Sequence, residues 1–580
     1  MRKALHFNFF VAHGENNPVG FKSTIQGRRP RLSVETLVLL SAVFLLAAGN
    51  GRFWQAALVG RGLAEPSTWG WLAAVFVALC ALYFAAAALV CTRYTAKPIL
   101  SLLLVTSAAA TYYIDRYAIY LDPTMVRNVL ATDYREATEL LGWRLIAYVL
   151  ALGVVPALLV WWPQFTRRPP GRAFVVRVGW VAGALVVATV SLLLVFSDFA
   201  SLMRNHKEVR YLITPGNVVA SLATNAWGRG SRAQGPKATV AADARLAASW
   251  QSRTRPTLFV LVVGETARAQ NFALDGYGRP TNPELARRDV VNFPDATACG
   301  TSTEVSLPCM FSATGRGQYD EQKILDSESL LHVLARAGFH VLWRDNQSGC
   351  KGVCAGLPEQ QMDRHPIADL CPQGHCFDEA LVQGLDTVAR DTRGNLFVVL
   401  HQLGSHGPAY FKRYPPQFKR FVPACESEDL RSCTRDEIVN AYDNSLLYTD
   451  FVLGRLIDLL GRAQATHDTA MLYVSDHGES LGEGGLYLHG VPYAIAPEVQ
   501  TRVPMLMWLS PAFRRSFGVD EACLRQRASL PASHDNLFHS LLGVLDVQTT
   551  AYQAKLDLFA PCRARPQLPA VAAAPAPVTR

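Results

Sequence analysis

Side chains able to bind a metal follow several short apolar runs of this sequence. TLFVLVVGE ends in Glu265, MLYVSDHGE carries Asp476 and His477, and FVVLHQLGSH brings His406 shortly after its run. Taken singly, an Asp-His pair is usually a surface pair, and a carboxylate after a strand is often a helix cap. Together, carboxylate oxygens and an imidazole nitrogen with one open position are typical of a catalytic zinc site. His489, in GLYLHG, is a further candidate ligand.

The segment ACGTSTEVSLPCMFS contains candidate nucleophiles. It places Thr301, Ser302 and Thr303 at the predicted start of a helix, between Cys299 and Cys309. A disulfide there would fix a turn whose backbone N–H groups point at an anion, as helix starts favour. A hydroxyl beside zinc loses its proton more easily and can attack phosphorus. The alternative is a capping segment rich in Ser and Thr that has no chemical role.

Two other polar segments are candidates for contact with a phosphate or a lipid headgroup. Lys351 lies in the cysteine-bracketed loop GCKGVC, where a lysine either pairs with phosphate oxygens or is simply solvated. In NVLATDYRE, Asn128, Thr132 and Glu136 recur every four residues and would share one face of a helix. That face either lies solvated on the membrane or contacts a headgroup.

Six apolar runs predict the buried strands that position these side chains. They cover residues 257–263, 290–293, 340–343, 396–400, 471–474 and 505–509. Helical patterns over 327–337, 378–389, 435–462 and 534–545 alternate with most of them, and Ser533 is the predicted N-cap of the last. This alternation predicts an α/β domain with a mainly parallel sheet covered on both faces, and catalytic groups at the carboxyl ends of its strands.

The first 200 residues have a composition suited to lipid. Half of the 580 residues are hydrophobic and 18% are charged, and the mean hydropathy is +0.12. Five apolar stretches, at 35–54, 71–90, 99–114, 145–162 and 175–196, predict membrane-spanning helices. Glu35 and the Gly-Asn-Gly at 49–51 interrupt the first stretch, and the third is short, so a buried or interfacial helix is the alternative for each.

Basic loops orient the predicted spans. Three segments are basic, which places them in the cytoplasm: the N-terminal segment, the second loop with Arg93 and Lys97, and the fourth loop with Arg167 and Arg168. Five spans then carry the C-terminal part outside. We expect a five-helix transmembrane domain over 1–200, a connector helix and linker over 201–255, a catalytic domain over 256–565 and a disordered tail over 566–580. The net charge of +9 is scattered, so nucleic acid is not an expected partner.

Ten of the twelve cysteines follow residue 298 in closely spaced positions. They are Cys299/Cys309, Cys350/Cys354, Cys371/Cys376, Cys425/Cys433, and then Cys523 and Cys562. In a domain outside the cytoplasm, such pairs indicate disulfides. A zinc-thiolate site is the weaker alternative, because no spacing gives a repeated CxxC frame.

Several long strings resemble one family. VGETARAQNF, CGTSTEVSLPCMFS, WRDNQSGCKGVC, HQLGSHGPAY and YVSDHGESLGEGGLYLHG resemble the lipid A phosphoethanolamine transferases, including the mobile colistin resistance enzymes. These belong to the alkaline phosphatase superfamily, and the resemblance covers nearly the whole chain. It implies a monomeric enzyme of the bacterial inner membrane, with its N-terminus in the cytoplasm and its catalytic domain in the periplasm.

The resemblance also implies a reaction. Phosphoethanolamine would pass from phosphatidylethanolamine to a phosphate of lipid A or lipopolysaccharide through a zinc-dependent covalent adduct on a threonine. Capping that phosphate lowers the negative charge of the outer membrane, so resistance to polymyxin is the expected consequence.

Position by position, the resemblance assigns roles to this sequence. It implies one tightly bound Zn²⁺ at Glu265, Thr303, Asp476 and His477, with Thr303 as the nucleophile. Lys351, His406 and His489 match residues that bind phosphate and donor, where a second zinc would also bind. Ser348, Asn128, Thr132 and Glu136 match positions lining the donor pocket, which favours the headgroup interpretation of NVLATDYRE, and Glu479 matches a residue beside the metal.

Two positions depart from the family pattern. Glu304 follows the nucleophile where the family usually has a small residue, and Gln347 replaces the second Asn of a common DNN. Glu304 adds negative charge close to an anionic donor. Four alternatives stay open: transfer to another glycan, a phosphoglycerol transferase, a sulfatase or phosphodiesterase that uses water, and a non-catalytic zinc-binding scaffold.

Overall fold

The computed structural model describes residues 29–59, 61–132, 134–231, 236–364, 367, 369–372 and 376–563. Of residues 134–136, 227–231 and 363 it describes the backbone alone. The predicted tail over 566–580, the basic segment up to Arg28 and the side chain of Glu136 therefore lie outside the described part.

The N-terminal part folds into long apolar helices. Within the described residues, Pro66–Val90, Ala96–Tyr117, Trp143–Trp161 and Pro170–Leu194 are each long and apolar enough to cross a membrane. Val34–Ala48 and Gly51–Ala57 together form a fifth candidate that is bent by 64°. The bend falls at the predicted interruption around Gly49. At the other end of this pair, buried Glu35 is paired with Arg168 at 3.0 Å, which compensates its charge.

Short helices connect these spans to the C-terminal domain. They are Pro123–Ala131, Tyr134–Glu139, Phe196–Asn205, the 3₁₀ helix Lys207–Leu212 and Gly216–Ser231. Asn128, Thr132 and Glu136 do not share one continuous helix, because Thr132 has extended backbone angles, with φ −61° and ψ 130°. Its hydroxyl donates to the carbonyl oxygen of Asn128 at 2.8 Å, a local bond that competes with helix continuation.

An eight-stranded sheet forms the centre of the C-terminal domain. In chain order the strands are β1 Thr257–Gly264, β2 Val291–Thr297, β3 His340–Asp345, β4 Glu359–Gln361, β5 Leu396–His401, β6 Asp468–Ser475, β7 Arg502–Leu509 and β8 Ala532–Ser533. Their order across the sheet is β8-β2-β7-β6-β1-β5-β3-β4. Only β7 runs antiparallel to its neighbours, β2 and β6. The six predicted strands and the mainly parallel sheet are confirmed.

Helices cover both faces of this sheet. They are Thr303–Met310, Glu321–Asp326, Leu330–Ala337, Leu385–Asp391, Arg435–Ala463, Glu498–Thr501, Pro511–Phe517, Glu521–Arg527 and Asp535–Val544. Successive side chains of β1 point to opposite faces of the sheet and pack in two hydrophobic cores. Phe259 and Leu261 lie in one core, and Leu258 and Val260 lie in the other. Both faces are therefore buried, as in doubly covered parallel sheets.

Two predicted helix boundaries are wrong. The pattern over 378–389 is split into the 3₁₀ turn Asp378–Leu381 and the helix Leu385–Asp391, because Gly384 takes a left-handed conformation with φ 68°. The N-cap of Asp535–Val544 is His534 rather than Ser533, which lies in strand β8 and pairs with β2. Sheet pairing thus takes Ser533 away from the helix end.

Five disulfides link the predicted cysteine pairs. They are Cys299–Cys309, Cys350–Cys354, Cys371–Cys376, Cys425–Cys433 and Cys523–Cys562. Cys80 and Cys91 are free and buried.

Candidate active site

The carboxyl ends of the central strands align at one edge of the sheet. Gly264 of β1 lies opposite Ser475 of β6, and His401 of β5 lies between Val263 of β1 and Asp345 of β3. Residues that directly follow these strands therefore meet above the same edge. This is where parallel α/β sheets place their functional groups.

Glu265, Asp476 and His477 meet at this edge as a buried cluster. Their possible ligand atoms all lie within 4.8 Å of one another. The Nε2 atom of His477 is 3.5 Å from the Glu265 carboxylate and 3.4 Å from the Asp476 carboxylate. All three side chains are fully buried. Two carboxylates and one imidazole so close together, without solvent, form a suitable donor set for a cation.

Thr303 completes this cluster from the first turn of the helix Thr303–Met310. Its Oγ1 donates to the two carboxylate oxygens of Glu265 at 3.1 and 3.2 Å and lies 3.3 Å from His477 Nε2. The helix start also directs backbone N–H groups and a partial positive charge towards this point. A hydroxyl, an anion-attracting helix end and a metal-ligand set therefore share one location.

The electrostatics of the cluster fit a bound cation. Asp476 Oδ1 accepts hydrogen bonds from the backbone of Thr266 and His477, whereas its buried Oδ2 has no hydrogen-bond partner among the described residues. The Nδ1 of His477 is 2.9 Å from the carbonyl oxygen of Gly478, so Nδ1 carries the proton and Nε2 presents a lone pair. Burial raises the pKa of Asp476 and lowers the pKa of His477 well below its usual value. A cation would compensate the charge that burial disfavours.

Three residues around this site have a strained backbone. Thr266, Lys351 and Leu488 have φ values of 54°, 48° and 62°, a conformation that residues with a side chain rarely adopt. Thr266 is β-branched, so its cost is the highest, and its strained conformation directs its N–H to Asp476. Such strain persists where the surrounding structure enforces it, most often at functional sites.

Two further histidines adjoin the cluster. The rings of His477 and His489 are 4.4 Å apart, and those of His406 and His489 are 5.7 Å apart. Buried Glu479 contacts His489 Nδ1 at 2.8 Å and accepts a hydrogen bond from the Tyr410 hydroxyl at 2.6 Å. Burial lowers the pKa of His406 well below its usual value, helped by the charge of His489. His406 is therefore a neutral imidazole at neutral pH.

A cavity of about 490 Å³ opens beside Thr303 between the membrane part and the C-terminal domain. Of the residues that the sequence singled out, it is lined by Asn128, Thr132, Thr303, Glu304, Gln347, Ser348, Lys351, His406 and His489. Lys351 Nζ donates to Ser348 Oγ at 2.8 Å. Apolar side chains such as Val129, Leu140 and Leu222 line the membrane side. The cavity thus has a polar end at Thr303 and an apolar end towards the lipid, which suits an amphipathic molecule.

Comparison with known proteins agrees with this architecture. A family model described as phosphoethanolamine transferase EptA/EptB matches residues 79–227, and the sulfatase model matches residues 257–547. The phosphoethanolamine transferase EptA of Escherichia coli (strain K12) is 38% identical over 546 residues, which cover 92% of this chain and 98% of that protein. The chain belongs to the phosphoethanolamine transferase family.

Other relatives agree with this assignment. The phosphatidylethanolamine transferase Mcr-1 of Escherichia coli is 39% identical over 534 residues, covering 89% of this transferase and 96% of that protein. The solved structure of the integral membrane protein lipooligosaccharide phosphoethanolamine transferase A from Neisseria meningitidis superimposes with a TM-score of 0.88 at 35% identity. The superposition covers 93% of this chain and 100% of the Neisseria meningitidis chain.

Two polar pairs in the transferase were not predicted from its sequence. His401 Nδ1 lies 2.7 Å from Asp345, and both side chains are fully buried behind the cluster. Burial raises the pKa of Asp345, but the charge and hydrogen bond of His401 hold it below its usual value. Both residues lie at the end of an apolar strand. Because Glu265 was identified from its position after such a strand, the same signal could have identified this pair. Buried Glu139 and Arg413 form the second pair, across the domain boundary.

The pair of Glu139 and Arg413 connects the membrane part to a histidine of the site. Arg413 Nε also donates to the backbone carbonyl oxygen of His406 at 2.6 Å. We expect Glu139→Gln to lower the free energy of unfolding by roughly 3–5 kcal/mol, because it leaves a buried guanidinium without its counter-charge. The melting temperature of the purified transferase in detergent measures this effect.

Lys412→Gln is the matched control for this prediction. Lys412 Nζ lies 4.0 Å from the same Glu139 carboxylate but is 41% exposed. An exposed ion pair contributes about 0–1 kcal/mol, so this variant should melt close to the wild type. Equal melting temperatures for Glu139→Gln and the wild type would show that the buried pair contributes nothing to stability.

Proposed function

We propose that this enzyme transfers phosphoethanolamine from phosphatidylethanolamine to a phosphate of lipid A, through a covalent adduct on Thr303. One observation carries the proposal. The Thr303 hydroxyl lies at the polar end of a cavity that reaches the membrane part, against the buried cluster of Glu265, Asp476 and His477. A lipid headgroup at the polar end of this cavity would lie against this hydroxyl.

The cluster is proposed to hold Zn²⁺ through Glu265, Thr303, Asp476 and His477. Its carboxylate and imidazole donors match the preferences of zinc, and the unpartnered Oδ2 of Asp476 fits a metal ligand. When bound, the ion supplies a lower pKa for the hydroxyl and attraction for phosphate oxygens. His406 and His489 would hold a second ion; in the two steps proposed below the enzyme holds one ion, and His489 instead transfers a proton.

In the first proposed step, Thr303 Oγ1 attacks the phosphorus of the donor lipid. The hydroxyl proton passes to Glu265, whose carboxylate is 3.1 Å away. The bond between phosphorus and the diacylglycerol oxygen breaks, and that oxygen takes up a proton, for which His489 is suitably placed. Lys351 and the N-terminal turn of the Thr303 helix attract the equatorial phosphate oxygens.

In the second proposed step, an oxygen of a lipid A phosphate attacks the adduct, and the proton of that phosphate hydroxyl passes to His489, which restores the proton that His489 gave to diacylglycerol. The bond between phosphorus and Thr303 Oγ1 breaks, and Oγ1 regains its proton from Glu265. The membrane helices hold both lipids close to the site, which raises their effective concentration. The basic loops indicate that the first helix starts in the cytoplasm, and five spans follow this start. This proposal therefore places the C-terminal domain in the periplasm, on the outer side of the bacterial inner membrane. The five disulfides support an oxidising compartment.

The names of two relatives support a proposed acceptor among the lipids of the outer membrane. The solved Neisseria meningitidis relative is named for lipooligosaccharide, and the chain is 35% identical to it. The Kdo(2)-lipid A phosphoethanolamine 7''-transferase of Escherichia coli (strain K12) is only 28% identical over 475 residues. The sequence motifs resemble those of the lipid A phosphoethanolamine transferases, so the proposed acceptor is a phosphate of lipid A. Masking that phosphate would lower the surface charge and the binding of polymyxin.

Mass spectra of lipid A test the proposal. Bacterial cells without another such transferase should gain one phosphoethanolamine unit on lipid A when they express the full chain, and should tolerate more polymyxin. A gain of phosphoglycerol would instead indicate a phosphoglycerol transferase. Release of diacylglycerol without a change in lipid A would indicate hydrolysis or another acceptor. Unchanged lipids with the wild type would contradict the proposal and favour a non-catalytic scaffold.

A further inference from the structure

Glu304, the residue after the nucleophile, holds an unusual position in the cavity. Its carboxylate lies 3.8 Å from Lys351 Nζ through one oxygen and 3.8 Å from Arg127 Nε through the other. Both distances are too long for hydrogen bonds, so these are loose ion pairs. The side chain is 18% exposed and lines the cavity beside Thr303. A carboxylate so close to a phosphate-binding centre needs a cationic partner when an anion enters.

Lys351 and Glu304 offer opposite charges side by side. Lys351 is held on the cavity wall, where its Nζ donates to Ser348 Oγ at 2.8 Å. A phosphoethanolamine group also carries opposite charges side by side, since two carbon atoms separate its phosphate from its ammonium. Placed with its phosphorus at Thr303, the group puts its phosphate oxygens within reach of Lys351. Its ammonium then has Glu304 as an anionic neighbour in the same cavity.

We propose that Glu304 binds the ammonium of the transferred phosphoethanolamine and is a determinant of headgroup specificity. This inference rests on the proposed function of the site. The ammonium takes the place of Lys351 at Glu304, while Lys351 turns to the phosphate oxygens, so all four charges stay paired. A headgroup with a glycerol in place of the amine leaves Glu304 beside a phosphate with only Arg127, which lies 3.8 Å away and is shared with Glu321, and this disfavours that donor.

Donor turnover by the full-length protein in liposomes that also contain lipid A as the acceptor tests this role. Diacylglycerol release is measured with phosphatidylethanolamine and, separately, with phosphatidylglycerol. For Glu304→Gln we expect kcat/KM with phosphatidylethanolamine to fall roughly tenfold to hundredfold, the size of a lost hydrogen bond to a charged group. Turnover of phosphatidylglycerol should stay equal or rise, because a neutral amide no longer repels the bare anion.

Soluble inhibitors give a second, independent readout. Phosphoethanolamine and ethyl phosphate differ only by the amine, so their inhibition constants isolate the ammonium contact. Glu304→Gln should weaken inhibition by phosphoethanolamine and leave inhibition by ethyl phosphate unchanged. This comparison serves even where phosphatidylglycerol turnover lies below detection.

Glu321→Gln is the matched control. Glu321 also pairs with Arg127, but it does not line the cavity. This variant should keep the wild-type preference for phosphatidylethanolamine. If Glu304→Gln lowers the turnover of both lipids alike and weakens both inhibitors alike, Glu304 is a tether for Arg127 and the proposed ammonium contact is wrong. A wild type that releases no diacylglycerol from phosphatidylethanolamine overturns the proposed function itself, and this inference with it.

Discussion

Replacing Thr303 with alanine will abolish the transfer of phosphoethanolamine to lipid A. The variant lacks the only atom proposed to bond to phosphorus, and loss of a catalytic nucleophile lowers turnover on the order of 10⁴-fold or more. Its small side chain fits the first turn of the helix Thr303–Met310, so the fold should persist. Lipid A mass spectra from cells expressing equal amounts of each protein measure the loss.

Two control variants separate this chemical role from packing. Thr303→Ser keeps a hydroxyl at the same position and should retain measurable transfer. Thr301→Ala removes a nearby buried hydroxyl, which donates to the carbonyl oxygen of Val491 at 2.7 Å, and should also stay active. If a trapped reaction carried the phosphoethanolamine group on Thr301 instead of Thr303, the assignment of Thr303 as the nucleophile would be wrong.

The fold was predictable where burial dictates composition. β1, β5 and β6 are buried along their whole length, so their central residues are apolar and these runs are visible in the sequence. The short strands β4 and β8 were not predicted. Glu359–Gln361 is polar and Ala532–Ser533 is only two residues long, and each is defined by pairing with one neighbouring strand at an edge of the sheet.

The metal cluster was predictable for a related reason. Glu265, Asp476 and His477 directly follow strands whose parallel register brings their ends together. Their position after an apolar run was therefore enough to predict that they lie close together. Arg413 contacts Glu139, which lies 274 residues earlier in the chain, and no local pattern encodes that distance. The break at Thr132 was missed because polar spacing alone does not show where a hydroxyl caps its own helix.

Removing one carboxylate of the cluster will remove the metal from the protein. We expect purified Glu265→Gln to contain little zinc and to show no transfer, because a neutral amide oxygen is a far weaker ligand and no longer accepts the Thr303 proton. Chelation of the wild type should abolish activity, and added Zn²⁺ should restore it. Zinc at a hundred times its Kd stabilises the fold by about 2.7 kcal/mol, so chelation should also lower the melting temperature.

Glu359→Gln is the matched control for this loss of zinc. Glu359 adjoins Cys350 and Cys354, and the three side chains form another cluster with ligand-like spacing. A disulfide joins the two cysteines, so neither offers a thiolate to a metal. Zinc content and melting temperature should therefore match the wild type in Glu359→Gln and fall in Glu265→Gln. The reverse result would move the metal site to the cysteine loop, away from Thr303, and would leave the nucleophile without the ion that its chemistry requires.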